Sequence, residues 1–270
     1  MTVPASDTIK CSISSGVATI TLNNPKRRNS LGLDSLNHLR DLLHSLGTSS
    51  EVNAIVLAAS GPAFSAGHDL SEMVDRDPGY YEMLFDLSSE VMLAIHAVPQ
   101  PVIAKVDGVA TAAGCQLVAS CDLVVASRES KFATPGVQIG LFCSTPMVAL
   151  SRAIGRKRAM EMLLTGEPID ATTAAAWGLV NRVVDREDLD DAVATLIESI
   201  TRFSAHTIGI GKQAFYEQVE LAESAAYDLT KIVMAANAGD DVAAEGMAAF
   251  LGKRDPVWPQ IESSSSAADE

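Results

Sequence analysis

The sequence predicts an α/β protein with a helical C-terminal part. Short runs rich in β-branched and apolar residues alternate with stretches whose apolar residues recur at steps of three and four through the first half of the chain. After about residue 145 the strand signal fades and the helical periodicity continues. Strands separated by helices are joined by right-handed crossovers, so the expected core is a mostly parallel sheet covered by helices.

Residues 17–22, VATITL, form the first expected strand, and Asn23, Asn24 and Pro25 end it with turn chemistry. Leu36, Leu39, Leu42, Leu43 and Leu46 share one helical face. Residues 53–58 are a second strand whose apolar run suits burial on both faces. Ser60, Gly61, Pro62, Ala66 and Gly67 bracket a loop. A helix over 80–96 is marked by Met83, Leu84, Leu87, Val91 and Ile95. Tyr80 and Tyr81 at its start either line an acyl pocket or belong to a turn feeding the helix. A third strand covers 101–106, a helix opened by small residues covers 112–120, and a fourth strand covers 122–126. Helices follow over 149–154, 158–164, 171–177, 189–203, 205–215 and 222–251, with a short strand over 179–184. The expected organisation is an α/β core over 8–190, a helical part over 191–259 and a disordered Ser-, Ala- and acid-rich tail over 260–270.

The 270 residues carry 20 Lys and Arg against 34 Asp and Glu, a net charge of -14. That sign argues against a nucleic-acid partner, and an anionic ligand would need a local basic patch. No run of about 18 apolar residues is present, so no membrane-spanning helix is expected. The first seven residues have neither a basic signal-peptide start nor an Arg-rich amphipathic face, which points to a cytoplasmic chain. Cys11, Cys115, Cys121 and Cys143 form no CxxC pair and no ligand spacing with His, so they are expected as buried thiols, with no metal.

Two loops put small residues just after a strand: GPAFSAGHDL at 61–70 and GVATAAGCQL at 108–117. Small residues let backbone approach a ligand, and free N–H groups at a helix start can bind an anion or a developing oxyanion. Taken singly, each loop is equally readable as helix-on-sheet packing. No GxGxxG follows the first strand and no phosphate-binding GxxxxGK[ST] occurs, which disfavours nucleotide readings. Cys143, Ser144 and Thr145 look like a nucleophile triplet without an assignable base, and capping of a helix before Pro146 is the simpler reading.

Taken together and in order, the motifs say more. NPKRRNSL at 24–31, AFSAGHDL at 63–70, the 108–117 loop, CDL at 121–123, FATPG at 132–136, LTGEPI at 164–169, AAWGLV at 175–180 and FLGKR at 250–254 followed by Pro256 resemble the crotonase, or enoyl-CoA hydratase/isomerase, superfamily. The stretch 133–146 resembles a divergent branch of enoyl-CoA hydratase domain-containing proteins. The resemblance implies a crotonase-like spiral of ββα units with a helical C-terminal trimerisation part. It also implies an acyl-CoA thioester as ligand, no further cofactor, and a homotrimer or dimer of trimers. Apolar positions such as Ile232, Met234, Met247 and Phe250 fit the expected assembly.

The resemblance assigns roles residue by residue. The N–H groups of His68 and Ala113 would hold the thioester oxygen as an oxyanion forms on it. Ala66, His68, Asp69 and Leu70 would line the substrate. Lys26 and Arg28 would meet the CoA phosphates, and Phe250 and Lys253 the adenine end, often of a neighbouring subunit's ligand. The family's two hydratase glutamates fall at Gln116 and Gly136. Gln116 can hold a water but cannot take its proton, and Gly136 has no side chain. Dienoyl-CoA isomerase carboxylates fall at Gly136, Gln138 and Ser144, so that reaction also lacks its acids. Asp69 would either brace its loop or, with His68, substitute in proton transfer. Changing both Gln116 and Gly136 to Glu would raise hydration if the pocket has room. Three readings stay open: an atypical hydratase or isomerase, a non-catalytic acyl-CoA-binding protein, and another crotonase reaction such as decarboxylation or thioester hydrolysis.

Overall fold

The apolar runs of the first half are buried on both faces because they are inner strands of a parallel sheet. A computed structural model describes residues 6–259. One sheet has six strands: β1 (Ile9–Ser14), β2 (Val17–Leu22), β3 (Ala54–Ala59), β5 (Val102–Val106), β7 (Leu123–Ser127) and β10 (Arg182–Val184), adjacent in that order. β1 pairs antiparallel with β2, and the remaining pairs are parallel. A second sheet orders β4 (Ala63–Ser65), β6 (Val109–Thr111), β8 (Lys131–Ala133) and β9 (Ile169–Asp170). β4, β6 and β8 run parallel, and β9 closes the edge antiparallel. The expected α/β class is therefore found.

Helix α1 (Leu33–Gly47) buries Leu36, Leu39, Leu42, Leu43 and Leu46, the five leucines of its periodic face. Helices α2 (Leu70–Met73) and α3 (Pro78–Ala97) follow, then α4 (Ala113–Ser120), α5 (Pro146–Ile154), α6 (Arg156–Thr165), α7 (Ala171–Trp177) and α8 (Leu189–Thr201). The first compact unit ends at Glu198 and a second begins at Ser199. The expected division lay at 190/191, and the expected tail over 260–270 lies outside the described residues.

The second unit contains α9 (Ala205–Gln218), α10 (Glu223–Ala238) and α11 (Asp241–Leu251). The helical segment expected over 222–251 is two helices, parted at Gly239 and Asp240. Asp240 accepts a 2.7 Å bond from Ala243 N–H and so starts α11 as its N-cap. Ile232, Met234, Met247 and Phe250 are all exposed in the described chain.

Two departures have simple causes. β1 was missed because its sequence, IKCSIS, buries only Ile9; it is an edge strand defined by its register with β2. It also leaves Cys11 exposed, whereas Cys115, Cys121 and Cys143 are buried as expected and all four thiols are free. β4, β6 and β8 are three residues each, too short for a period to show.

Candidate functional site

Parallel strands deliver their C-terminal ends to one edge, and loops from neighbouring strands meet there. Ser65 of β4 is registered with Ala110 of β6, and Thr111 of β6 with Ala133 of β8. The loops carrying 66–70, 112–116 and 134–138 therefore stand side by side. Gly67 has φ +88, and a Cβ there would sit 2.9 Å from Ala112 Cβ and 3.1 Å from Ala113 N. Only glycine lets the first loop approach the second so closely. Gly114 abuts the Ser65 carbonyl in the same way.

Ala112, which opens α4, has φ +50 and ψ -120. That is a costly backbone for a residue with a side chain, of the kind that persists where the surroundings impose it. Its consequence is that Ala113 begins α4 with an N–H that has no intrahelical acceptor. The N–H of His68 likewise finds no hydrogen-bond partner among the described residues, although its neighbours bond across the bridge to Leu31: Leu31 N–H to Gly67 O at 2.8 Å and Asp69 N–H to Leu31 O at 3.3 Å.

The His68 ring lies edge-on to Phe85, centroids 5.4 Å apart. Its Nδ1 is 3.3 Å from the Leu31 carbonyl, which can only accept, so Nδ1 carries the hydrogen and Nε2 is a bare, buried acceptor without a partner. Burial pushes the imidazole pKa down, against the Leu31 bond, and favours the neutral ring.

Of the two roles open to Asp69, bracing its loop or moving a proton, the geometry fits the brace. Its Oδ1 accepts from Ser71 N–H at 3.1 Å and Ser71 Oγ at 2.6 Å, and its Oδ2 from Arg27 at 2.6 Å and Ser30 Oγ at 3.0 Å. Desolvation raises its pKa, but the bonds from Ser71, Arg27 and Ser30 outweigh it and hold the carboxyl at about 2. So saturated and so acidic a carboxylate is a poor base. The turn carrying Arg27 is itself fixed by buried Asn29, which donates to the Ser60 and Ala63 carbonyls at 2.9 and 2.8 Å and accepts from Asn24 N–H at 2.8 Å.

A cavity of about 420 Å³ opens beside these loops. Ala66, His68, Leu70, Ala113 and Gly136 line it, and Asp69 does not. Gln116 does not line it. Every residue of α4 except Ala119 is buried, and Gln116 is packed with the rest, its Oε1 without a hydrogen bond. Gly136 stands in a one-turn 3-10 helix, Pro135–Ile139, against the Leu141 carbonyl and the Cys143 sulfur. Among the described residues, no Asp, Glu, Lys or Arg lines the cavity.

Lys26 and Arg28 are exposed on the 25–28 turn, while Arg27 between them is taken by Asp69. Phe250 and Lys253 belong to the second unit, where Phe250 is 83% exposed. Tyr80 and Tyr81 do not line the cavity: Tyr81 Oη donates to the Met73 carbonyl at 2.7 Å, and both lie in the first turn of α3. The aromatic at the cavity from this helix is Phe85. Cys143, Ser144 and Thr145 do line it, but no side chain caps α5; Ser144 Oγ donates to the Phe142 carbonyl at 3.4 Å. Burial raises the Cys143 thiol pKa, which argues against a thiolate nucleophile. Sequence reasoning missed the wall formed by Met73, Phe85, Ile139, Leu141 and Phe142, because these residues come from elements that no local period connects.

The family model described as "Enoyl-CoA hydratase/isomerase" matches residues 12–261. Human "Enoyl-CoA hydratase domain-containing protein 3, mitochondrial" is 47% identical over 245 residues, 90% of this chain and 80% of that protein. The crystal structure of an enoyl-CoA hydratase from Mycobacterium smegmatis superposes with a TM-score of 0.92 at 48% identity, over 94% of this chain and 99% of that one. The crystal structure of human enoyl Coenzyme A hydratase domain-containing protein 3 superposes with a TM-score of 0.90 at 46% identity, over 93% and 100%. The cytoplasmic expectation drawn from the first residues is corrected by these names: the human relative is named mitochondrial, and seven residues are too few to carry a compartment.

Proposed function

Because this chain belongs to the enoyl-CoA hydratase/isomerase, or crotonase, family, we propose that it binds an acyl-CoA thioester with the thioester carbonyl between the N–H groups of His68 and Ala113. The observation that carries this is a pair of N–H groups with no hydrogen-bond partner among the described residues, on two loops locked together through Gly67, beside a cavity. Preorganised donors of this kind stabilise an enolate-like oxyanion, and one is worth roughly 10²–10³ in rate.

Lys26 and Arg28, exposed cations without a side-chain partner among the described residues, take the CoA phosphates, and Phe250 and Lys253 take the adenine end of a neighbouring subunit's ligand. The thioester is the substrate, and no further cofactor is invoked. The exposed Ile232, Met234, Met247 and Phe250 are the faces that a homotrimer or a dimer of trimers would cover. The human relative's name points to a mitochondrial setting.

The reaction is of the hydratase/isomerase type, with slow proton transfer. Gln116 and Gly136 replace the family's glutamates, Asp69 is held by four bonds, and no carboxylate among the described residues lines the cavity. The same absence favours a second reading, acyl-CoA binding without turnover.

The carbonyl contact can be read directly. Ala113 is the first residue of α4, and Ala113→Pro removes its donor. In an isotope-edited infrared spectrum, the bound thioester C=O stretch should move to lower frequency in the natural protein and much less in Ala113→Pro. Circular dichroism checks that the fold is kept. Tight acyl-CoA binding with an unshifted carbonyl in the natural protein would defeat the proposal. A crotonyl-CoA hydration assay alongside separates turnover from binding alone.

A further inference from the structure

Resting on the acyl-CoA reading, we infer that the cavity takes an uncharged hydrocarbon acyl chain longer than a butanoyl group, and that Ile139 and Phe142 determine this preference. Three observations carry it.

The first is size. A volume of about 420 Å³ corresponds to roughly fourteen water-sized groups at about 30 Å³ each, far more than a short acyl chain fills. The second is chemistry. Leu70, Met73, Phe85, Ile139, Leu141 and Phe142 form the wall, and among the described residues no Asp, Glu, Lys or Arg joins them. Two polar lining groups already have partners: Gln138 Nε2 donates to the Gly166 carbonyl at 3.4 Å and Ser144 Oγ to that of Phe142. A carboxylate at the far end of an acyl group would be desolvated without a counter-charge, which is strongly unfavourable. Malonyl-type and other dicarboxylic acyl groups are therefore rejected.

The third is the mouth. Leu70, Ile139, Leu141 and Phe142 line the cavity and are still 43–58% exposed. Large apolar groups left in water around an apolar cavity mark a binding surface. This rim is also preformed. Leu141 N–H donates to the Gly136 carbonyl at 2.9 Å and Gly140 N–H to that of Val137 at 3.3 Å, so the 136–141 turn is closed on itself. The turn that leaves no room for an acid at Gly136 is the one that presents Ile139 and Phe142 to the chain.

Calorimetric titration of the full chain with free CoA, butanoyl-, octanoyl- and glutaryl-CoA, below micellar concentrations, tests this. Each buried methylene is worth about fourfold in affinity. Octanoyl-CoA should therefore bind at least about tenfold tighter than butanoyl-CoA, and glutaryl-CoA more weakly than butanoyl-CoA. Phe142→Ser and Ile139→Ser should each cut the octanoyl-to-butanoyl ratio by about threefold, with circular dichroism showing that the fold is kept. Equal affinities for butanoyl and octanoyl, both above free CoA, overturn the chain-length inference and leave the acyl-CoA reading standing. Tight glutaryl-CoA binding overturns the uncharged class. A ratio unmoved in both variants overturns their role. Affinities no better than free CoA at any length overturn the acyl-CoA reading itself.

Discussion

Gly136 and Leu141 close one tight turn on each other: the Leu141 N–H donates to the Gly136 carbonyl at 2.9 Å, and the Leu141 carbonyl stands where a Gly136 side chain would begin. Gly136 is not among the residues with positive φ. The glycine is therefore required by room and not by a left-handed backbone.

It follows that a side chain cannot simply be restored there. Gly136→Ala should cost about 1–3 kcal/mol as an overpacking change, lowering Tm by roughly 2–4 °C per kcal/mol. Gly136→Glu should cost more and should not raise hydration, which revises the expectation that a double glutamate change would. Thermal denaturation of both variants checks this. A Gly136→Ala protein as stable as the natural one would show that the turn yields easily.

Crotonyl-CoA hydration by the natural protein should run at least about 10²-fold below that of a two-glutamate relative, since each general acid or base contributes about 10²–10⁴. Steady-state kinetics of the two proteins side by side give the ratio. Ordinary hydratase rates would mean that a group outside the cavity lining moves the proton.

Asp69 predicts a pH dependence with a definite sign. Its folded pKa, about 2, lies below the ordinary 3.8. The stability it adds is present above about pH 3.8 and is lost as pH falls through about 2. Asp69→Ala removes the N-cap of α2 and the acceptor of Arg27 and should cost about 2 kcal/mol at neutral pH. Plotted against pH, the Tm of the natural protein should fall toward that of Asp69→Ala between these limits. A constant gap down to the acid end would show that the carboxylate charge does not matter.

Lys26 and Lys253 predict salt-sensitive CoA binding against the background charge of -14. The double change Lys26→Ala with Lys253→Ala should weaken CoA by about fivefold per charge at low ionic strength, the upper range for exposed pairs. The difference should shrink as the Debye length falls to about 3 Å at 1 M salt. Titration at two salt concentrations decides it, and an unchanged affinity in the double variant would remove these lysines from the site.

The sequence by itself determined the α/β class, the buried parallel strands and the loops that carry the site. Each of these is written in local chemistry: runs of apolar residues such as 54–58, the leucine period of α1, and small residues at 66–67 and 112–114. It also carried the family, because a set of motifs in order survives where single motifs are ambiguous. Tertiary structure alone decided what those groups can do. Asp69 is an anchor because Arg27, 42 positions away, reaches it. Gln116 is withdrawn from the cavity because α4 is buried nearly all round. Tyr80 and Tyr81 yield the cavity to Phe85 because the first turn of α3 is tied down to Met73. Burial, partner saturation and free volume belong to contacts between residues far apart in the chain, and a local pattern holds no record of them.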